Sequence, residues 1–95
     1  MRRLEKQLFA ITDEIDRLRE TVRQTEEEWY VLQHLDDDAQ RDAAVGGPID
    51  RDDARATARD VARFQKLITE LRQRLNHLEA KRVELLNRLG SPPDA

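Results

Sequence analysis

Four arginines recur every four residues in the second half of the chain, and they are the side chains best suited to bind an anion. They are Arg51, Arg55, Arg59 and Arg63. On a helix, a regular row of guanidinium groups can follow the phosphates of a nucleotide or a nucleic acid. Asp52, Asp53 and Asp60 lie among them, and these carboxylates weaken the positive field of the row. We treat the row as a candidate anion contact, with salt bridges to neighbouring carboxylates as the alternative.

Residue types that usually catalyse reactions or bind metals are few. His34 and His77 fall on different predicted helices, and Asp37 and Asp38 follow His34 at helical spacing, which favours a solvated ion pair over a metal site. The chain has no cysteine, and the Gly46-Gly47-Pro48 segment follows a helical pattern, whereas a phosphate-binding loop follows a strand. We therefore predict no catalytic residue, no cofactor and no metal, and we do not expect an enzyme.

The stretch from Trp29 to Asp37 reads Trp-Tyr-Val-Leu-Gln-His-Leu-Asp-Asp. It resembles the helical-hairpin anti-sigma regulators of actinobacteria, which clasp a cyclic dinucleotide. Their motif runs Glu, three residues, Ser, two residues, Arg, three residues, Gln, three residues, Asp. Gln33 and Asp37 occupy its last two positions, whereas Val22, Glu26 and Trp29 occupy the first three. The resemblance implies a ligand-responsive transcriptional regulator that binds a sigma factor or an anionic nucleotide.

The composition indicates long helices. Ala, Glu, Lys, Leu and Arg make up 48 of the 95 residues, a proportion typical of coiled coils. The net charge is only −3, which argues against general nucleic-acid binding, and no apolar run is long enough for a membrane span. The absence of cysteine and of a signal-peptide pattern favours a cytoplasmic protein.

Apolar residues form a heptad seam in each half of the chain. The first seam contains Leu4, Leu8, Ile11, Ile15, Leu18, Val22, Thr25, Trp29, Leu32, Asp36 and Ala39. The second contains Ala54, Thr57, Val61, Phe64, Ile68, Leu71, Leu75, Leu78, Arg82, Leu85 and Leu89. In an antiparallel hairpin the numbers of facing residues add to a constant, and facing seam residues here add to 93, which places the turn between Gly46 and Gly47.

The fold class predicted is therefore all-α, an antiparallel two-helix coiled-coil hairpin over residues 1–90. We expect helix 1 over about 2–45, a turn over about 46–49, helix 2 over about 50–89, and a flexible tail over 91–95. Gly46 or Gly47 would end the first helix in a left-handed cap, and Asp50 would cap the second.

Polar residues interrupt the seam and should carry structural roles. Arg82 is expected to lay its stem over the seam, to extend its guanidinium to solvent toward Glu14 or Glu79, and so to specify the register. Asp36 facing Thr57 should leave the end near the turn weakly packed. Residues 1–47 carry a net charge of −5 and residues 48–95 a net charge of +2, so the two helices should attract each other. Residues at the same level predict ion pairs between the helices, Asp42 with Arg51 and Asp38 with Arg55, and further ion pairs are expected within each helix.

Apolar residues outside the seam indicate association, because a two-helix rod of this size has little interior of its own. The candidate interface residues are Phe9, Tyr30, Val31, Leu35, Leu67, Val83 and Leu86. We expect the hairpin to dimerise into a four-helix bundle, to offer these surfaces to another protein, or both. The leading interpretation is a non-enzymatic protein–protein interaction module, a small cytoplasmic adaptor or regulator.

Overall fold

The computed structural model describes residues 2–90 as two long helices joined by a short turn. Helix α1 spans Arg3–Val45 and helix α2 spans Pro48–Gly90. They pack against each other as a rod measuring 73 × 20 × 14 Å. The predicted all-α hairpin is thus confirmed, whereas the predicted tail, 91–95, lies outside the described residues.

The buried side chains follow the predicted seam. Ile11, Ile15, Leu78 and Leu85 form a core cluster. Leu4, Leu8, Leu18 and Leu75 are half-buried against this cluster. Farther along the rod, Val22, Thr25, Ile68 and Ala54 are also buried. Leu89, which the pattern places in the seam opposite Leu4, is 42% exposed.

Ion pairs between the helices define the two flanks of the seam. Arg19 binds Glu79 at 2.9 Å and Arg72 binds Glu26 at 2.8 Å; we call the side that carries these pairs the Glu79 flank. Arg74 binds Glu14 at 2.7 Å on the opposite side, which we call the Glu14 flank. In each pair the residue numbers add to five more or five less than 93, as expected when charged residues beside an antiparallel seam pair along one flank.

The level ion pairs predicted from the sequence are wrong. Asp38 binds Arg41 at 3.1 Å and Arg55 binds Asp52 at 3.3 Å, each within its own helix. No ion pair among residues 2–90 joins Asp42 to an arginine of α2. The reason is geometric: residues outside the seam whose numbers add to 93 are level with each other but lie on opposite flanks.

The turn differs from the prediction in conformation and in length. Gly46 is extended, with φ −98° and ψ −174°, and no glycine among residues 2–90 has a positive φ. Helix α2 begins at Pro48, two residues earlier than predicted, because proline suits the first helical position, where no N–H is needed. Arg51 N–H donates to the Gly47 carbonyl at 3.2 Å, so Asp50 lies inside the first turn and does not cap the helix.

Gly46 is required for space. A β-carbon at this position would lie 2.7 Å from the backbone carbonyl oxygen of Asp42 and would also clash with the Asp50 carboxylate. A β-carbon at Gly47 would meet nothing within 4 Å. The chain therefore reverses through a close backbone approach at Gly46.

Candidate interaction surfaces

Three apolar side chains form an exposed patch near the free ends of the helices, which we call the free-end patch. Phe9 comes from α1, and Val83 and Leu86 come from α2; their exposed fractions lie between 43% and 57%. Because facing residues add to 93, all three lie within one helical turn of the same level. Leu86 follows Glu79 by one heptad, so the patch belongs to the Glu79 flank.

A second group of exposed apolar side chains lies nearer the turn, and we call it the middle patch. It consists of Val31, Leu35 and Leu67, with exposed fractions between 42% and 57%. These residues belong to the Glu14 flank, since Leu67 precedes Arg74 by one heptad. The two patches therefore face opposite sides of the rod.

Tyr30 is exposed on the same side of the rod as the free-end patch. Its ring makes an edge-to-face contact with the His34 ring, with 4.6 Å between centroids. The contact holds the phenol on the surface of α1, about 30 Å from Phe9 at 1.5 Å per residue.

Two exposed apolar residues were missed from the sequence. Val45 and Ile49 flank the turn with exposed fractions of 90% and 77%. Both lie one or two residues from a glycine or a proline, and this proximity to the turn is a signal that the heptad pattern does not contain.

Two open grooves run along the Glu14 flank, each of about 390 Å³. The groove near the free ends has Ile11, Leu78 and Leu85 as its floor. Its walls carry more basic than acidic side chains, namely Arg74, Lys81 and Arg88 with Glu14 and Glu84. The groove near the turn is walled by Asp38, Asp42, Asp50 and Asp53. The two ends of this flank therefore carry opposite charge.

The arginine row does not form one surface. A step of four residues advances about 40° beyond a full helical turn, so the four side chains spread over about 120° around α2. Arg55 binds Asp52, and Arg63 binds Asp60. Arg59 Nε donates to the Arg55 carbonyl at 3.3 Å. Among residues 2–90, Arg51 and Arg59 form no ion pair with a carboxylate.

The residues aligned with the anti-sigma motif do not converge on a ligand site. Trp29 stands at the arginine position and is half-buried, and its indole Nε1 is buried without a hydrogen-bond partner among the described residues. Gln33 and Asp37 line a shallow groove with Tyr30 and His34. The described part of the chain also contains no cluster of three or more histidine, aspartate or glutamate side chains placed to hold a metal ion.

The polar residues of the seam differ in whether their buried polar atoms have hydrogen-bond partners. Thr25 donates its hydroxyl to the Thr21 carbonyl at 2.7 Å. Arg82 Nε is buried with no partner among residues 2–90. Neither Glu14 nor Glu79 binds Arg82; Glu14 binds Arg74 and Glu79 binds Arg19.

In one exposed cluster of charged residues, on the surface of α1, neighbouring side chains shift each other's pKa. Arg23 donates hydrogen bonds to Glu20 and to Glu27 on the surface of α1. The hydrogen bond from Arg23 lowers the pKa of Glu20 below its ordinary value, and the same carboxylate raises the pKa of Arg23.

Neither helix, over residues 2–90, combines the length and the apolarity needed to cross a lipid bilayer. Comparisons with known proteins give no significant match to a family model, to a curated protein or to a solved structure.

Proposed function

We propose that this protein is a non-enzymatic protein–protein interaction module, a small adaptor or regulator that associates through apolar side chains outside its seam. The observation that carries the proposal is that all seven candidate interface residues are exposed and that six of them form two patches on opposite flanks. Burying such side chains against a partner contributes roughly 25 cal/mol for each Å² removed from water. A hairpin that leaves them in water gains stability when another helix covers them.

The shape of the rod supports binding to helices. Each patch lies beside the seam, where a third or fourth helix can pack along the rod, as in a four-helix bundle. The grooves of the Glu14 flank are open along their length, whereas catalysis requires a cleft that excludes water. The partner is a second copy of the chain, a helix of another protein, or both, and the absence of cysteine fits the reducing cytoplasm.

A ligand-responsive regulator is the second candidate function. The guanidinium groups of Arg51 and Arg59, which bind no carboxylate among residues 2–90, support an anion contact. The ion pairs of Arg55 and Arg63 support it less, because each of these arginines already has an aspartate partner.

Affinity capture from the source cell, with variants that change one patch at a time, tests the proposed function. We expect the wild-type chain to retain a specific protein and Phe9→Asp to lose it, because an aspartate in the free-end patch cannot be buried without a partner. Lys66→Asp is the matched control, since Lys66 is exposed on the side of α2 away from the seam. Identical retention by all three chains would contradict a role for this patch.

A further inference from the structure

The Glu14 flank carries opposite charges at the two ends of an apolar middle. Toward the free ends it presents the basic residues Arg17, Arg74, Lys81 and Arg88, which outnumber the acidic residues Glu14 and Glu84 at this end. Toward the turn it presents Asp38, Asp42 and Asp53, whereas Asp60 is level with Gln33, beside the middle patch, and binds Arg63. The middle patch lies between these two groups. Such a flank attracts a surface that carries the same three zones in reverse order.

Several of these charges have no partner within the hairpin. The ion pairs on this flank join Glu14 to Arg74, Arg41 to Asp38, and Arg63 to Asp60. In the described part of the chain, the side chains of Arg17, Asp42 and Asp53 make no hydrogen bond or ion pair. They can bind a partner at no cost to the hairpin.

The unpaired charges lie at equal distances from the centre of the apolar zone. Leu67 of α2 lies level with Glu26 of α1. Measured along α1, the middle patch therefore extends from the level of Glu26 to Leu35, and its centre lies near residue 30. Asp42 lies about 18 Å from this centre toward the turn, and Arg17 lies about 20 Å from it toward the free ends, at 1.5 Å per residue.

A second pair of charges on the same flank gives the same centre. Asp53 of α2 is level with Gln40, about 15 Å from the centre toward the turn. Arg74 is level with Arg19, about 17 Å from it toward the free ends. A two-fold axis through the centre therefore brings each acidic position near a basic one.

We propose that the Glu14 flank binds a second copy of this chain, with the two rods antiparallel and related by a two-fold axis at the middle patch. This inference rests on the proposed interaction function and names one of its partners. The middle patches cover each other, and Asp42 of each copy lies against Arg17 of the other. An isologous contact of this kind closes on itself and gives a four-helix bundle. The free-end patch remains exposed at both ends of the bundle for a different protein.

Complementary charge reversal tests the arrangement. Asp42→Arg alone and Arg17→Glu alone each place two like-charged contacts in the dimer, whereas a one-to-one mixture of the variants places two attractive contacts in a heterodimer. We expect sedimentation equilibrium to show self-association weakened at least about tenfold in each variant. The mixture should associate as tightly as the wild type. Lys66→Glu changes the charge equally on the outward side of α2 and should leave the dissociation constant unchanged.

Two further measurements, of helix content and of salt dependence, separate loss of association from loss of folding. Circular dichroism checks that each variant stays helical, and a rise in sodium chloride should weaken the wild-type dimer, because exposed charges are screened. A monomeric wild type, a salt-independent dimer, or a mixture no tighter than the separate variants would overturn the inference. Partner capture that is lost with Phe9→Asp would then still support the proposed function, so the two proposals fail separately.

Discussion

The hydroxyl of Thr57 donates a hydrogen bond of 2.9 Å to the carboxylate of Asp36 across the seam. The numbers of these two residues add to 93, so this bond joins partners that the heptad pattern places face to face. Gln40 extends the polar layer, since its side-chain amide donates to Asp36 at 3.0 Å and to the Ala54 carbonyl at 3.1 Å. A polar layer inside a coiled coil disfavours other registers, because a slip leaves its groups unpaired.

We expect Thr57→Val to lower the free energy of unfolding by about 1 kcal/mol, because Asp36 loses its donor from the other helix. Urea denaturation followed by circular dichroism measures the change. Thr69→Val is the matched control, since Thr69 is exposed and donates only to the Gln65 carbonyl of its own helix, and it should change stability by less than about 0.5 kcal/mol. Equal effects of the two substitutions would contradict a role for the bond in the register.

We expect Gly46→Ala to lower the free energy of unfolding by about 1–3 kcal/mol, because the new methyl group meets the Asp42 carbonyl and the Asp50 carboxylate. Gly47→Ala, where the methyl group meets only open space, should stay within about 0.5 kcal/mol of the wild type. Thermal denaturation of the two variants measures the difference. Adding Asp50→Ala to Gly46→Ala should restore only part of the loss, since the backbone contact remains, and complete restoration would show that the carboxylate alone causes the strain.

We expect Arg82→Leu to raise the free energy of unfolding by about 1–2 kcal/mol, because it removes a buried Nε that lacks a partner and fills the seam with an apolar side chain. Arg88→Leu is the control, because Arg88 is exposed on the same helix. Chemical denaturation should separate the two variants. A destabilised Arg82→Leu chain would mean that the guanidinium makes a contact in solution that is worth more than its burial costs.

We expect no increase in the thermal midpoint with cyclic dinucleotides or mononucleotides. Two arginines of the row, Arg55 and Arg63, already bind aspartates, and the four side chains do not converge. A ligand that binds only the folded chain must raise the midpoint. A rise that disappears when Arg55 and Arg59 are replaced by Glu would favour the ligand-responsive alternative.

The seam pattern predicted the antiparallel hairpin and its register because heptad spacing and helical geometry are rigid. The conformation of the turn was not predictable from glycine content alone. A glycine can serve a left-handed cap or a close approach, and only the positions of Asp42 and Asp50 distinguish the two at Gly46. The predicted start of α2 is two residues too late, because Asp50 suits an N-cap whereas Pro48 suits the first helical position, where the helix begins.

The exposed patches were predicted, but their ion-pair surroundings were not. Level pairing ignored the direction in which a side chain leaves its helix, so Asp38 was assigned to Arg55 on the opposite flank. The direction in which side chains leave their helices also puts the free-end patch and the middle patch on opposite flanks. It places opposite charges on the two sides of the middle patch. The identity of a partner other than a second copy depends on a surface that this chain does not contain, so it could not be read from these residues.

The central claim is that the exposed side chains outside the seam are association surfaces. Native mass spectrometry of the chain isolated gently from its source cell tests this claim most directly, because it detects a second copy and a different protein alike. We expect an assembly heavier than the 11.1 kDa of the single chain, with a mass that identifies the partner. A species of 11.1 kDa alone would contradict it.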